Sequence, residues 1–287
     1  MRITWVGHAT VHVEAAGVRI LTDPLVTRRL AHLRRRRPAP SRELLDVDAV
    51  LISHAHLDHL HVPSLRRLRP TARIVAPRGS GRLLRAAGFG DVVEVVAGDR
   101  VDVHGIRIDV VPALHGDGRG PHSRVHAAPV GYVVEAAGQR VYFAGDTDLF
   151  DDMARLDAID LALLPIWGWG PTLGDGHLDP DRAARATELI RPRIIVPIHW
   201  GTYAPEDGRR RFPAWFDAPP GHLATALATR SLDDALHVVE PGHDALDLAP
   251  SAANDGSSSA GGGGARVVHE RAVDTAGVDV DDDDVDD

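Results

Sequence analysis

The chain has 287 residues, 44% hydrophobic and 25% charged, which are the proportions of an ordinary globular protein, and no apolar run reaches the roughly 20 residues that span a bilayer. It contains no cysteine, so disulfides and thiolate metal ligands are excluded and histidine and carboxylate remain as metal donors. The formal charge of −9 is local: residues 251–287 hold ten Asp or Glu against two Arg, and the nearly neutral remainder lacks the basic stripe that a nucleic-acid binder needs.

The opening residues lead directly into strand-like alternation with no long apolar segment or small-residue cleavage site, which predicts a cytoplasmic location. Ile3–Val6, Val11–Glu14 and Val18–Leu21 read as a three-strand meander punctuated by Gly7 and Gly17. Val26 to Leu45 is arginine-rich and broken by Pro38 and Pro40, so it is predicted as an exposed loop with a short helix at each end. Within it, the run Arg34–Arg37 reads as a solvated face, with contact to a phosphate-bearing substrate as the other use. Ala49–Ser53 is a buried strand, Pro63–Leu68 a short helix, Arg73–Ala76 a strand and Gly79–Ala87 a helix. Strands follow at Val92–Val96, Val101–Val103, Ile106–Val111, Pro129–Glu135 and Arg140–Ala144, then helix Leu149–Leu156 and strand Leu161–Leu164. Helix Pro180–Ile190, capped by Asp179, precedes strand Ile194–Ile198. Meanders mixed with βα units predict sheets covered by helices, an α/β (α+β) protein. The expected folded domain is 1–249, followed by a Gly/Ser-rich, acidic tail, 250–287, whose composition predicts disorder.

The strongest chemical signal is His54-Ala55-His56-Leu57-Asp58-His59, four metal-capable groups within six residues, directly after a buried strand. Three further donors follow apolar strands: His115, Asp146 in Ala144-Gly145-Asp146-Thr147, and His199. Taken singly, His115 also reads as a surface-loop histidine, Asp146 as a turn or cap residue and His199 as a satisfied buried histidine. Their recurrence at strand ends favours a shared metal site.

The His-x-His-x-Asp-His segment at residues 54–59, followed in order by His115, Asp146 and His199, resembles the metallo-β-lactamase superfamily. Thr4–Thr10, Leu21–Pro24, Phe143–Thr147 and Pro197–Thr202 narrow the resemblance to the branch containing L-ascorbate-6-phosphate lactonase and N-acyl-phosphatidylethanolamine phospholipase D. The resemblance runs from about Ile3 to Gly242 and implies a four-layer αββα sandwich. It also implies two divalent metal ions, zinc first with manganese or iron as alternatives. One ion would be held by His54, His56 and His115, the other by Asp58, His59 and His199, with Asp146 as the bridge. Two ions roughly 3.5–4 Å apart can share a water whose pKa falls toward about 7, and Asp58 is expected to orient the resulting nucleophile.

Around these, His8 and Asp23 match motifs of the same branch, although His8 also fits a turn cap and Asp23 the start of an Asp-Pro turn. His177 precedes helix Pro180–Ile190 in a segment similar to one at the active site of the phospholipase branch. It is expected to contact substrate or protonate a leaving group, or to be a plain turn residue. Trp167 and Trp169, with His8, are candidate substrate-binding residues, the two indoles either as walls of an apolar pocket or as rings that only pack the core edge. The expected function is metal-dependent hydrolysis of an ester, lactone or phosphodiester in a small molecule or lipid headgroup, with no integral membrane association. The alternative is a metal-binding scaffold or regulatory protein that keeps the fold without turnover.

Overall fold

Strands that are apolar on both sides need cover on both sides, and the computed structural model shows how the chain supplies it. Residues 1–120, 123–168, 172–206, 213–242 and 245–249 are described here. One sheet has seven strands in the spatial order Ala245–Asp247, Arg2–Gly7, Thr10–Ala15, Val18–Thr22, Ala49–Leu51, Arg73–Pro77 and Val92–Val95. The second has six, in the order Ile194–Ile198, Leu161–Pro165, Gln139–Phe143, Val130–Ala136, Ile106–Pro112 and Arg100–Val103. Each sheet joins an antiparallel meander to parallel strands.

Period-two alternation sorts the first sheet's side chains between two cores. Ile3, Trp5, Ile20, Ala49, Leu51 and Val75 join the cluster that also contains Ile108, Tyr132, Val141 and Leu163 of the second sheet. Their neighbours Val6, Leu21, Val50 and Ile74 turn outward to pack with Leu65 and Leu84, which lie on the helices Val62–Leu65 and Gly81–Ala86. Helix Pro180–Ile190 buries Ala183, Ala184, Ala186 and Ile190 in the main core, joined there by Leu223 and Leu227 of helix Pro219–Ala228. The result is a helix, sheet, sheet, helix sandwich. Asp179 caps the longer helix by accepting from the Arg182 amide at 2.8 Å, and Pro180 occupies the first turn, where a missing N–H costs nothing.

Two local expectations are corrected. Leu149–Leu156 contains only the 3₁₀ turn Asp151–Arg155. Val26–Leu45 does not have a helix at each end: strands Arg29–Leu30 and Leu33–Arg35 pair with Tyr203–Pro205 in a third, three-stranded sheet, and only the 3₁₀ turn Glu43–Leu45 follows. Three of the four arginines form a clamp rather than a solvated face, because Arg35, Arg36 and Arg37 reach backbone carbonyls, while Arg34 pairs with the exposed Glu206 carboxylate at 3.1 Å. Arg35 donates to the Val6 carbonyl, Arg36 to those of Pro205 and Glu206 at 2.8 and 2.6 Å, and Arg37 to that of Gly201 at 2.8 Å. The Arg37 guanidinium also lies 5.9 Å from the Trp200 ring and 5.7 Å from Phe216, within cation–π range. The run thus fastens the segment that follows His199. Residues 250–287, the expected tail, lie outside the described residues. Among the described residues no helix is long and apolar enough to cross a membrane.

Candidate metal centre

The His54–His59 segment leaves its strand and closes into one helical turn, with the His59 and Leu60 amides donating to the His56 carbonyl at 3.1 and 2.9 Å. That turn brings four side chains of a six-residue segment to one place. Asp146 reaches the same place because Gly145 lets the strand end approach closely: its φ is +62°, and a Cβ there would lie 2.4 Å from the Ser53 Cβ. His8, Asp23 and His199 all hold positive φ, 54°, 31° and 66°, a conformation unfavourable for these residues and concentrated in proteins at functional sites. The turns carrying His8 and His199 are braced together, the His199 amide donating to the His8 carbonyl at 3.0 Å and the His8 amide to Thr202 Oγ1 at 2.8 Å.

All seven predicted donors converge. His56 Nδ1 lies 2.9 Å from His54 Nε2 and 3.1 Å from His115 Nε2. In a second cluster, His59 Nε2 is 3.3 Å from His199 Nε2 and 3.6 Å from Asp58 Oδ2. Asp146 stands among both sets: it lies 3.2 Å from His59 Nε2 and from His199 Nε2, and its carboxylate groups with His115 and His177 within 4.8 Å. These His/Asp clusters can hold metal.

The outer ring nitrogens explain why. His115 Nδ1–H donates to the Gly176 carbonyl at 2.7 Å, and His199 Nδ1–H to that of Trp167 at 2.6 Å. His59 Nδ1–H donates to Asp23 Oδ2 at 2.7 Å. Ser53 Oγ–H donates to the same carboxylate, which leaves its lone pair for His54 Nδ1–H at 2.9 Å. Carbonyls and carboxylates only accept, so in the neutral form each of these imidazoles must direct its Nε2 lone pair inward. Lone pairs facing one another at about 3 Å, with Asp146 Oδ1 buried and lacking a hydrogen-bond donor, are satisfied by a cation. Nitrogen and oxygen donors of this kind suit zinc and related divalent ions.

The electrostatics agree. Burial, with His59 and the other imidazoles, holds His54 well below the ordinary histidine range, and burial likewise lowers His56 and His115 and takes His199 to about 3. Burial also opposes charge on His59, but Asp146, Asp58 and Asp23 outweigh it and raise this histidine. The sign for stability follows. A histidine lowered by folding binds its proton more readily when unfolded, so its contribution is present above about 6.5 and is lost as pH falls toward its folded value. His59 and His177, both raised, are already protonated in both states below about 6.5 and add no slope there. Chelator-treated protein is therefore expected to lose thermal stability as pH is lowered below about 6.5, with the His199 share extending to about 3; melting measured by circular dichroism that is flat or rising across that window contradicts this assignment.

Sequence reasoning left Asp23 open between a turn residue and a site residue, and the structure makes it a hub. It is fully buried and accepts from the Ser53 amide at 2.7 Å, from Ser53 Oγ–H and from His59, so one carboxylate orients two imidazoles. Supporting residues of this kind contribute about 10–100-fold to metal affinity or activity. Asp23→Asn is expected to weaken metal binding by that factor, read by competition against a chromogenic chelator, and unchanged affinity in a folded variant would remove Asp23 from the site.

His8 is buried and bonded to Asp58 Oδ2 at 3.0 Å, its ring 3.9 Å from that of His199. His177 is more open, 24% exposed, with Nε2 3.6 Å from Asp146 Oδ2 and Nδ1–H on the Gly174 carbonyl at 3.1 Å. His177 lines a cavity of about 500 Å³ together with His56, Asp58, Asp146 and His199, whereas His8 does not line it and reaches the site only through Asp58. Leu30, Leu33, Leu57 and Leu173 supply apolar wall. Of the two readings of Trp167, pocket wall and core-edge packing, the second describes the ring, which packs against the main core and the cluster of Ala204, Trp215 and Phe216, while its carbonyl holds His199 and Gly168 lines the cavity. Trp169 lies outside the described residues.

The sandwich and its His/Asp clusters define a protein able to bind metal on loops at the strand ends of its two sheets. Comparison with known proteins makes the class specific. Residues 18–200 match the Beta-lactamase superfamily domain. A UPF0173 metal-dependent hydrolase of Methanopyrus kandleri is 34% identical over 247 residues, 84% of this chain and 98% of that protein. The N-acyl-phosphatidylethanolamine-hydrolyzing phospholipase D 1 of Caenorhabditis elegans is 33% identical over 70% of this chain and 64% of its own length. Among solved structures, Igni18, a metallo hydrolase from Ignicoccus hospitalis, is similar with a TM-score of 0.66 and 27% identity over 86% of this chain and 99% of that one. The chain belongs to the beta-lactamase superfamily and is a metal-dependent hydrolase of the metallo-β-lactamase fold.

Proposed function

We propose that the protein hydrolyses an ester, lactone or phosphodiester of a small molecule or lipid headgroup at a centre of two divalent metal ions, zinc by preference. The observation that carries this reading is the set of inward-facing imidazole lone pairs fixed by outer hydrogen bonds, with carboxylates between them. His54, His56 and His115 would hold one ion, Asp58, His59 and His199 the other, and Asp146, which reaches groups of both clusters, would be shared. When bound, such ions supply Lewis acidity and a nucleophile at neutral pH.

The chain's own residues do the rest. His8 Nε2–H donates to Asp58 Oδ2, fixing the carboxylate that orients the attacking water. The carbonyls behind His115 and His199 keep the imidazoles from turning. His177 is placed by the Gly174 carbonyl with Nε2 toward the centre and the cavity, where it can hand a proton to a leaving-group oxygen. The apolar walls exclude water from around the scissile bond.

Purified protein is expected to hydrolyse at least one chromogenic substrate among esters, lactones and phosphodiesters, with activity abolished by a chelator and restored by zinc, manganese or iron. Metal-loaded protein inert across all three classes would instead favour a binding scaffold.

A further inference from the structure

A charged group drawn into an apolar cavity needs a counter-charge, and one cation at this cavity pairs with no carboxylate among the described residues. Arg119 lines the same cavity as His56, Asp58 and His177. Its Nη1 donates to the carbonyls of Ala55 and Leu60 at 3.0 and 2.9 Å, bracing the His54–His59 segment from outside. Among the described residues no carboxylate pairs with this guanidinium and no acceptor meets its Nε or Nη2. The side chain is partly buried, and that burial alone pulls it below the ordinary arginine range. A half-buried cation held by two carbonyls at the cavity, with its remaining donors unpaired among the described residues, is prepared for an anion.

We propose that Arg119 anchors an oxyanion, phosphate or carboxylate, carried by the substrate outside its scissile bond. The inference rests on the hydrolase reading above and narrows its substrate class to anionic molecules. The planar fork gives paired hydrogen bonds to such a group, and the apolar wall formed by Leu30, Leu33, Leu57 and Leu173 keeps solvent from screening them. Arg119 would position the substrate by its charged end while the reacting carbonyl or phosphoryl group meets the centre.

The test compares metal-loaded wild type with Arg119→Gln on two matched esters, 4-nitrophenyl acetate and the monoanionic 4-nitrophenyl hemisuccinate. Wild type is expected to favour the anionic ester, and the ratio of the two kcat/KM values should fall about 10–100-fold in the variant, the contribution of charge-assisted hydrogen bonds. Turnover without preference in wild type, or an unchanged ratio in the variant, overturns the proposal and leaves the hydrolase reading standing. Should neither ester turn over, inorganic phosphate titrated calorimetrically into both proteins decides: at least about tenfold weaker binding by the variant is expected, and equal binding overturns the proposal. Should Arg119→Gln not fold, Arg119→Lys, which keeps the charge and loses the planar fork, is expected to lower the ratio by about tenfold, and an unchanged ratio in the folded Lys variant overturns it. Competition by soluble glycerol 3-phosphate supports a soluble oxyanion and competition by phosphatidic acid vesicles alone a lipid headgroup; competition by neither overturns the proposal.

Discussion

Asp146→Asn is expected to reduce bound metal from about two equivalents to below one and to lower kcat/KM by more than the about 10–100-fold that loss of a supporting residue costs. The carboxylate is almost fully buried and approaches His59, His199 and His177. Burial opposes its ionisation, yet His199, His59 and His177 outweigh that and hold it well below the usual carboxylate range. Asparagine keeps the shape and removes the charge, so two dications would face the same imidazoles with one negative charge fewer. The amide would also present an N–H₂ toward positions now faced by lone pairs. Elemental analysis of the folded variant with metal content equal to wild type would remove Asp146 from the shared position.

His177→Ala should keep its metal and lose turnover by about 10²–10⁴-fold, the contribution of a positioned proton donor. The remaining donors still complete both proposed ion sites without it, while its position at the cavity and its 24% exposure suit a group that meets substrate. The loss should be smallest for substrates whose leaving group departs without a proton, such as 4-nitrophenolate, and largest for alkyl alcohols. A loss confined to KM and independent of leaving group would make His177 an orienting residue. Near wild-type kinetics would make it a turn residue, and loss of metal would place it with His115 and Asp146, beside which it already lies.

How much of this was legible in sequence depends on how local the physics is. Residues 54–59 are readable because one segment carries four donors, and His115, Asp146 and His199 because each follows an apolar strand. The two-core alternation of Val50 and Leu51, or Ile74 and Val75, is likewise written in adjacent residues. Asp23 was ambiguous because its partners Ser53 and His59 are 30 and 36 positions away. The arginine run looked solvated because its acceptors are carbonyls of residues 6, 201, 205 and 206, which no composition rule identifies. Trp167 stays open between pocket wall and core packing because an aromatic beside a glycine says nothing about which way the ring turns. Helix Pro219–Ala228 carried no readable signature, since Pro219, Pro220 and Gly221 open it and only Leu223, Ala226 and Leu227 mark its buried face.

The central claim is a two-ion centre built from these seven residues, and crystals of the metal-loaded protein, with anomalous scattering recorded on either side of the metal absorption edge, test it most directly. Two anomalous peaks are expected roughly 3.5–4 Å apart, one against His54, His56 and His115, the other against Asp58, His59 and His199, with Asp146 touching both. A single peak, or ions held by residues outside this set, would contradict it.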